Sequence, residues 1–131
     1  MAWNSYGLDR EAQKLVLLAR TLDESTLNQT YKMRTTISYG LERFWGEHLR
    51  LQKREPAKSR YWKATWDTFV RIMALSGINL PNDPVRVEDV QSIQLMSEKL
   101  WQISLVDQQV ALSVLTQLCD CLVWWTQRYK P

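Results

Sequence analysis

The sequence is poor in glycine and proline, the two residues that most often interrupt regular secondary structure. Only 4 Gly and 4 Pro occur among its 131 residues. All-β proteins need many tight turns and disordered chains are rich in proline and glycine, so this scarcity argues against both classes. Since 45% of the residues are hydrophobic, the chain has the composition of a globular protein. Its length is typical of one domain, which buries about two thirds of its unfolded surface.

Cysteine and histidine are scarce, and these residues supply most protein ligands of transition metals. Cys119 and Cys121, the only cysteines, lie two positions apart in a predicted helix, where their side chains point in different directions and cannot easily pair. They give at most two ligands of a metal site, and no Cys or His cluster completes it. We therefore expect buried or half-buried free thiols in a reducing cytosol, and no metal.

Long apolar runs are missing too. No stretch approaches roughly 18 consecutive apolar residues, the length that suggests a membrane span, because Gln117 and Asp120 interrupt the most apolar segment. Residues 1–5 lack the charged start and apolar run of a signal peptide. These two absences predict a soluble cytoplasmic protein with no membrane partner.

The residue patterns of known catalytic chemistry are also absent. The single histidine, His48, has no Ser, Cys or carboxylate cluster at a useful spacing, so we expect a structural role for it. Acidic residues such as Asp9, Asp23 and Glu88 fall where helices are expected to begin, and the helix dipole explains them there. The sequence contains no glycine-rich phosphate loop or zinc-ligand pattern. It therefore predicts no catalytic residue and no cofactor.

Hydrophobic spacing predicts a chain built only of helices. The four-three-four-three spacing of one helix face is followed by Leu8, Ala12, Leu15, Ala19 and Leu22. Further segments follow at residues 27–54, 59–76 and 88–103, and a last one begins at Ser104 as its N-cap. The second contains Gly40 and Gly46 and is expected to kink or split near residues 38–40. Short loops favour an all-α, single-domain antiparallel bundle of about five helices over residues 1–131.

The same spacing assigns inward faces to the later helices. The third is predicted to bury Trp62, Trp66 and Phe69. The fourth is predicted to bury Val90, Ile93, Met96, Leu100 and Trp101. The fifth is predicted to bury Val106, Val110, Val114, Leu118, Leu122, Trp125 and Tyr129. A proline-containing connector at residues 78–87 divides a basic part, residues 1–77, from a weakly acidic helical pair, residues 88–131.

The distribution of charge is the most informative positive feature of the chain. Its net charge is only +3, but residues 31–71 hold ten Lys or Arg and four Asp or Glu, a local net charge of +6. The remaining seven basic and ten acidic residues give −3. A strongly basic middle is the electrostatic footprint of a protein that binds a phosphate backbone. The alternative is a solvated helix face that keeps the protein soluble.

The basic side chains are predicted to form two stripes that meet at a corner. Near-integral helical turns separate Lys32, Arg43, Arg50 and Arg54 on the second helix. Arg60, Lys63 and Arg71 lie near one line on the third, and Lys53 and Lys58 flank the join. Aromatic residues interleave the region, and Tyr61, which falls opposite the core face, is predicted to stack on an unpaired base. The predicted nucleic-acid-binding residues are Lys32, Arg43, Arg50, Lys53, Arg54, Lys58, Arg60, Tyr61, Lys63 and Arg71.

The tail, residues 110–130 (VALSVLTQLCDCLVWWTQRYK), resembles the closing helix of the small subunits of CRISPR effector complexes of the Cascade and type III kinds. In that helix an apolar segment ends in an aromatic pair, here Trp124 and Trp125, and a basic residue. The size, the all-helical prediction and the basic surface are also similar to that family. The resemblance covers about twenty residues plus the overall architecture.

The resemblance implies a non-catalytic subunit of a ribonucleoprotein. Such subunits stack in several copies beside other effector subunits and line a positive groove along the guide–target duplex or a displaced strand. Carried over to this chain, the groove falls on Arg43, Arg50, Lys53, Arg54, Lys58, Arg60 and Lys63. Trp124 becomes the candidate contact between copies, because Trp125 serves the inward face. This function predicts nucleic-acid affinity, for RNA or single-stranded DNA, that falls steeply with salt.

Two other functions fit the same sequence. A helical adaptor for an acidic protein would show a saturable protein partner and little sequence-independent DNA binding. A small transcription regulator would form a dimer and strongly prefer one duplex site. A helix-turn-helix is disfavoured, because the helix before residues 55–57 is too long and the next one opens with Tyr61 and Trp62 instead of base-reading polar residues.

Overall fold

Six α-helices form most of the regular structure in the computed structural model, which describes residues 7–130. The helices are α1 (Leu8–Leu22), α2 (Gln29–Thr36), α3 (Leu41–Leu51), α4 (Pro56–Leu75), α5 (Val90–Trp101) and α6 (Leu105–Tyr129). Two 3-10 turns, Glu24–Asn28 and Ile37–Tyr39, flank α2, and no strand occurs among the described residues. The all-α prediction is therefore confirmed. The prediction of no signal peptide concerns residues 1–5, which lie outside the described part.

The single helix predicted over residues 27–54 is divided in two, and this raises the helix count to six in residues 7–130. The division falls at Gly40, whose φ of 98° and ψ of 176° no helix adopts. Side chains larger than hydrogen rarely adopt this backbone conformation. The predicted split near residues 38–40 is confirmed. One consequence is that Lys32 lies on α2, whereas Arg43 and Arg50 lie on α3.

Replacing Gly40 with alanine is expected to destabilise the fold by about 1–3 kcal/mol. No atom lies within 4 Å of the added Cβ position, so the cost is backbone strain and not collision. Gly46→Ala is the matched control, since Gly46 sits inside α3 with its nearest neighbour 3.8 Å away. There alanine is expected to be neutral or stabilising. Urea unfolding midpoints of the two variants check the difference, and equal midpoints would contradict it.

Side chains cap some of the helical segments, and one of these caps differs from the residues that the sequence suggests. Ser104 caps α6 as predicted, and its Oγ accepts a hydrogen bond from the Asp107 backbone N–H at 3.2 Å. The cap after α1 is Asp23, whose carboxylate accepts from the Ser25 N–H at 3.0 Å. The sequence also offers Ser25 and Thr26 as caps of the next helix, but neither takes that role. An aspartate before the turn competes well for the free N–H groups.

The core lies mainly between one pair of helices that are distant in the sequence and one pair that are consecutive. α1 packs mainly against α6, and α3 packs mainly against α4. Trp62, Trp66 and Phe69 of α4 are fully buried, as predicted. Phe44 of α3 meets Trp62 edge to face, with ring centroids 5.0 Å apart. Such aromatic pairs add to the free energy gained by burying their large apolar area.

The predicted inward faces fail around the turn between α5 and α6. Trp101 and Val106 are 61% and 68% exposed, and Val90 and Val110 are exposed as well. Farther along α6 the predicted Val114, Leu118 and Leu122 are buried, and Trp125 and Tyr129 are half-buried. The other buried residues of α6 are Ala111, Leu115, Cys119 and Thr126. Val106 lies nearly opposite Leu122 on α6, because a repeated spacing of four residues drifts by about 40° around the helix at each step. We call Trp101, Leu105, Val106 and Val110 the apolar corner.

Within residues 7–130, none of the helices combines the length and the apolar character needed to cross a membrane.

Candidate nucleic-acid interface

The turn between α3 and α4 gathers basic side chains around one carboxylate. α3 ends at Leu51 and α4 begins at Pro56, where a proline costs nothing because the first N–H groups of a helix are unpaired. The Lys58 ammonium, 2.6 Å from Glu55, lowers the pKa of the Glu55 carboxyl, and Lys32 and Arg50 act in the same direction. Lys32 of α2 is therefore close enough to this turn to act electrostatically on Glu55. We call this group the basic corner: Lys32, Arg50, Lys53, Arg54, Lys58 and Arg60.

Many of the predicted binding cations already have an acidic partner. The ion pairs are Arg50–Glu47 at 2.9 Å, Lys53–Glu88 at 3.2 Å, Lys58–Glu55 at 2.6 Å, Lys63–Asp67 at 2.6 Å and Arg71–Glu11. Exposed ion pairs contribute about 0–1 kcal/mol, so a phosphate can replace a carboxylate there at little cost. The local net charge of +6 already includes Glu47, Glu55 and Asp67, but Glu88 and Glu11 lie outside residues 31–71 and reduce the uncompensated charge further.

Four predicted binding residues have no ion pair within the described chain: Lys32, Arg43, Arg54 and Arg60. All four are exposed. Three of them belong to the basic corner, and Arg43 lies on α3 two turns before Arg50. These are the cations most available to a phosphate backbone, because a phosphate that binds them does not have to displace a carboxylate.

The two predicted stripes are only partly formed. The break at Gly40 and the end of α3 at Leu51 prevent Lys32, Arg43, Arg50 and Arg54 from sharing one helix face. Arg71 lies eleven residues beyond Arg60 on α4, a distance of about 16 Å along the helix. It is engaged by Glu11 of α1, so it stands apart from the corner.

Tyr61 is buried, and the prediction that it stacks on an exposed base was wrong. Its side chain is 0% exposed, and its hydroxyl lies 2.6 Å from the Thr30 hydroxyl. Thr126 of α6 donates to the same Thr30 oxygen at 2.8 Å. Burial raises the pKa of Tyr61 far above its usual range. The reason is that α2 and α6 cover the face of α4 that the sequence pattern left to solvent.

Two other tyrosines are available for stacking. Tyr39, in the 3-10 turn before Gly40, is 71% exposed, and Tyr31 on α2 is 37% exposed. Tyr39 was missed as a site residue, although the predicted break at residues 38–40 placed it where side chains tend to face solvent. The Lys130 ammonium lies 5.7 Å from the Tyr31 ring centroid, a cation–π contact that partly occupies that ring.

A wide depression continues from the basic corner onto the connector. It has a volume of about 820 Å³ and is lined by Gln52, Lys53, Arg86, Glu88 and Asp89. Arg86 is exposed and has no ion pair within residues 7–130. Arg86 was not among the predicted binding residues, because it lies in the connector and outside the predicted helices. Arg86 adds one cation beyond the two helices, and Glu88 and Asp89 line the same depression.

His48 is almost fully buried where α3 meets α4. It is 3% exposed, and its Nδ1 donates to the Trp45 carbonyl oxygen at 2.5 Å. Burial lowers the pKa of His48 most strongly; the Trp45 hydrogen bond opposes this shift, Lys63 adds to it and Asp67 opposes it. The imidazole is therefore neutral at pH 7, as expected for a buried histidine with a structural hydrogen bond.

Metal and thiol chemistry find no support in this part of the chain. Between residues 7 and 130, no group of three or more His, Cys, Asp or Glu side chains is placed to hold a metal ion. Cys119 is buried and Cys121 half-buried, and both are free. Burial raises the pKa of the Cys121 thiol to about 11, so little thiolate forms at neutral pH.

Comparison with protein-family models, curated proteins and solved structures finds no match.

Proposed function

We propose that this chain is the non-catalytic, nucleic-acid-binding small subunit of a cytoplasmic CRISPR effector ribonucleoprotein, folded as a single-domain antiparallel bundle. The observation that carries the proposal is the basic corner with its unpaired cations Lys32, Arg54 and Arg60. Arginine and lysine at an exposed helix junction suit a backbone of phosphates and not the edges of bases. The proposed ligand is the backbone of RNA or single-stranded DNA.

The tail supports the CRISPR assignment within this proposal. Trp125 is half-buried and packs against the core, whereas Trp124 is 59% exposed. This is the division of roles that the resemblance implies for the aromatic pair. The Arg128 guanidinium lies 5.8 Å from the Trp124 ring centroid. This contact partly occupies the ring, but the exposed remainder of Trp124 is still available to a second copy or another subunit.

The apolar corner supports membership of a larger assembly. Leu105 and Val106 are 70% and 68% exposed, and soluble monomers rarely leave such residues clustered in water. The same observation favours the second candidate, a helical adaptor for an acidic protein, because protein interfaces bury apolar residues at their centres. The two candidates differ in whether nucleic acid binds without a protein partner.

Binding of the purified protein to single-stranded RNA, single-stranded DNA and duplex DNA across a salt series tests the proposal. We expect sequence-independent binding whose affinity falls by several decades between low and moderate salt for about six phosphate contacts. Fluorescence anisotropy with labelled oligonucleotides measures it. Absence of binding at low salt, together with saturable capture of an acidic protein, would favour the adaptor.

Isolation of the native complex tests the CRISPR part separately. An affinity-tagged chain purified from its own cells should bring down several effector subunits and a guide RNA of repeat-derived sequence. Recovery of bound nucleic acid without any guide RNA would leave the nucleic-acid function standing and remove the CRISPR assignment.

A further inference from the structure

The face of α6 that points away from the bundle is poor in charge. Nine exposed side chains fall within a sector of about 100° opposite the buried residues of this helix. We call them the outer strip: Val106, Gln109, Val110, Ser113, Gln117, Asp120, Trp124, Gln127 and Arg128. Two of the nine are charged, against four of the six exposed residues of α1. Since charged residues are depleted at the centres of protein interfaces, the outer strip has the composition of a contact surface.

The outer strip carries exposed apolar side chains at both ends and polar side chains near its middle. Trp124 is 59% exposed and Val106 is 68% exposed. Because five full helical turns separate these two residues, they lie on one line, about 27 Å apart along the helix. Ser113 and Gln117 lie between them. Val106 belongs to the apolar corner, so a large aromatic ring and an apolar patch point in the same direction from opposite ends of α6.

A second copy of α6 that runs in the opposite direction matches this pattern. Val106 and Trp124 are centred on position 115, and so are Ser113 and Gln117. A two-fold axis beside that position therefore brings Trp124 of each copy to the apolar corner of the other copy. Near the axis the small Ser113 side chain faces Gln117, so the two helices can approach closely there. One contact then covers the exposed apolar groups at both ends of α6.

The charges of α6 favour the antiparallel direction over the parallel one. Asp107, near the N-terminal end, makes no ion pair within residues 7–130, and Arg128 lies near the C-terminal end. In an antiparallel pair these opposite charges come to about 7.5 Å from each other along the helix axis, which the long arginine side chain can span. Asp120, already paired with Arg34 at 2.6 Å, stays about 15 Å along the axis from its counterpart. In a parallel pair, Asp120 would face Asp120 and Arg128 would face Arg128, and neighbouring like charges are destabilising.

We propose that the outer strip binds a second copy of this chain, with the two α6 helices antiparallel and Trp124 of each copy packed in the apolar corner of the other. A tryptophan that fills an apolar recess is a typical anchor of a protein interface. A two-fold contact uses the same surface on both copies and closes at two, in contrast to the stack of several copies that the resemblance implies. No residue of the basic corner belongs to the outer strip, so this pairing does not rest on the proposed function.

Sedimentation equilibrium of the purified full chain over a wide concentration series tests the pairing. We expect an equilibrium between monomer and dimer, with no larger species. The dissociation constant should lie in the micromolar range, because a helix face of about 37 Å by about 10 Å buries less than the roughly 800 Å² per partner of a typical interface. A chain that stays monomeric up to near-millimolar concentration would overturn the proposal. A series of ever larger species would also overturn it, since a two-fold contact closes at two copies.

Substitutions at both ends of the outer strip test which residues make the contact. Trp124→Ala should weaken dimerisation by about thirtyfold or more, as expected for an interface anchor. Val106→Lys places an unpaired charge in the apolar corner and should weaken it at least as much. Leu75→Lys is the matched control, because Leu75 is 71% exposed at the end of α4, away from the strip, and dimerisation should be unchanged. Equal weakening in all three variants would overturn the proposal, because it would indicate association through exposed apolar residues in general.

Cross-linking at two exposed positions of α6 tests the direction of the helices. In the antiparallel pair the two copies of Gln117 lie about 6 Å apart along the axis, and the two copies of Gln127 lie about 36 Å apart. A short bismaleimide should therefore link Gln117→Cys to itself and fail to link Gln127→Cys. The unsubstituted chain is the control, since Cys119 is buried and Cys121 half-buried. Links in both variants would indicate parallel helices, and links in neither would indicate a different contact surface; either result would overturn the proposal.

The pairing and the proposed function can fail separately. A dimer that binds no nucleic acid at low salt would support the pairing and overturn only the proposed function. A monomeric chain that binds nucleic acid with a steep salt dependence would support the proposed function and overturn only the pairing.

Discussion

Removing the four unpaired cations, Lys32, Arg43, Arg54 and Arg60, by substitution with glutamine is expected to reduce nucleic-acid affinity by about two to three decades at low salt. Each lost phosphate contact removes about 0.7 from the slope of log affinity against log salt for a single strand, so the slope should become shallower by about 3. All four side chains are exposed and make no ion pair in the described chain. The fold should therefore be unaffected.

A matched control removes the same charge from elsewhere. Substituting Arg10, Lys14 and Arg20 of α1 and Lys99 of α5 lowers the net charge by the same four units, from +3 to −1. If binding depends on the basic corner, this control loses far less affinity and keeps most of its salt slope. Anisotropy titrations of both variants over one salt series measure the contrast. Equal slopes would mean that the chain attracts nucleic acid through net charge alone, without a defined interface.

Most helices could be predicted from the sequence because each carries a long apolar face. α1 begins at Leu8 and ends at Leu22, the first and last residues of the predicted face. Two helix boundaries could also be predicted, because the conformation of Gly40 and the hydrogen bond of Ser104 are set by their immediate neighbours. The position of each buried face was harder to predict. Val106 lies on the side of α6 opposite its buried residues, and Trp101 lies at the edge of the buried face of α5.

The charges of the candidate interface were found from the sequence, but their pairing was not. Partners three residues apart, such as Glu47 with Arg50, follow from helix geometry and could have been anticipated. Pairs such as Lys53 with Glu88 and Arg71 with Glu11 join segments far apart in the sequence. Only the folded chain brings those charges together, so the local net charge overstates the free cations.

A small cavity also lies beside His48, and it could not be predicted from the sequence for a related reason. Its walls come from α3, α4 and the connector, and the contact that joins them is the Gln52 side chain with the Val87 backbone. Tyr61 was predicted on an exposed face for a different reason. Its burial depends on two hydroxyls, Thr30 and Thr126, which make a buried face polar. An apolar pattern cannot identify a buried face of that kind.

Trp62 of α4 contributes to the core both through packing of its ring and through a hydrogen bond of its indole N–H. Its ring meets Phe44 edge to face at 5.0 Å, and its indole N–H donates to the Gln29 side-chain oxygen at 2.9 Å. By contrast, the indole N–H groups of Trp45 and Trp66 have no partner within residues 7–130. Loss of Trp62 therefore opens a cavity and also leaves a buried acceptor on Gln29 without its donor.

Trp62→Ala is expected to destabilise the protein by about 3–5 kcal/mol through the cavity alone. The unpaired Gln29 oxygen adds about 1–3 kcal/mol, which approaches the whole stability of a typical domain. Trp62→Phe keeps the aromatic contact and should cost mainly the hydrogen bond. Trp101→Ala is the control, since that ring is 61% exposed, and it should change stability by less than about 0.5 kcal/mol. Urea unfolding gives the order, and equal costs at Trp62 and Trp101 would contradict the placement of α4 in the core.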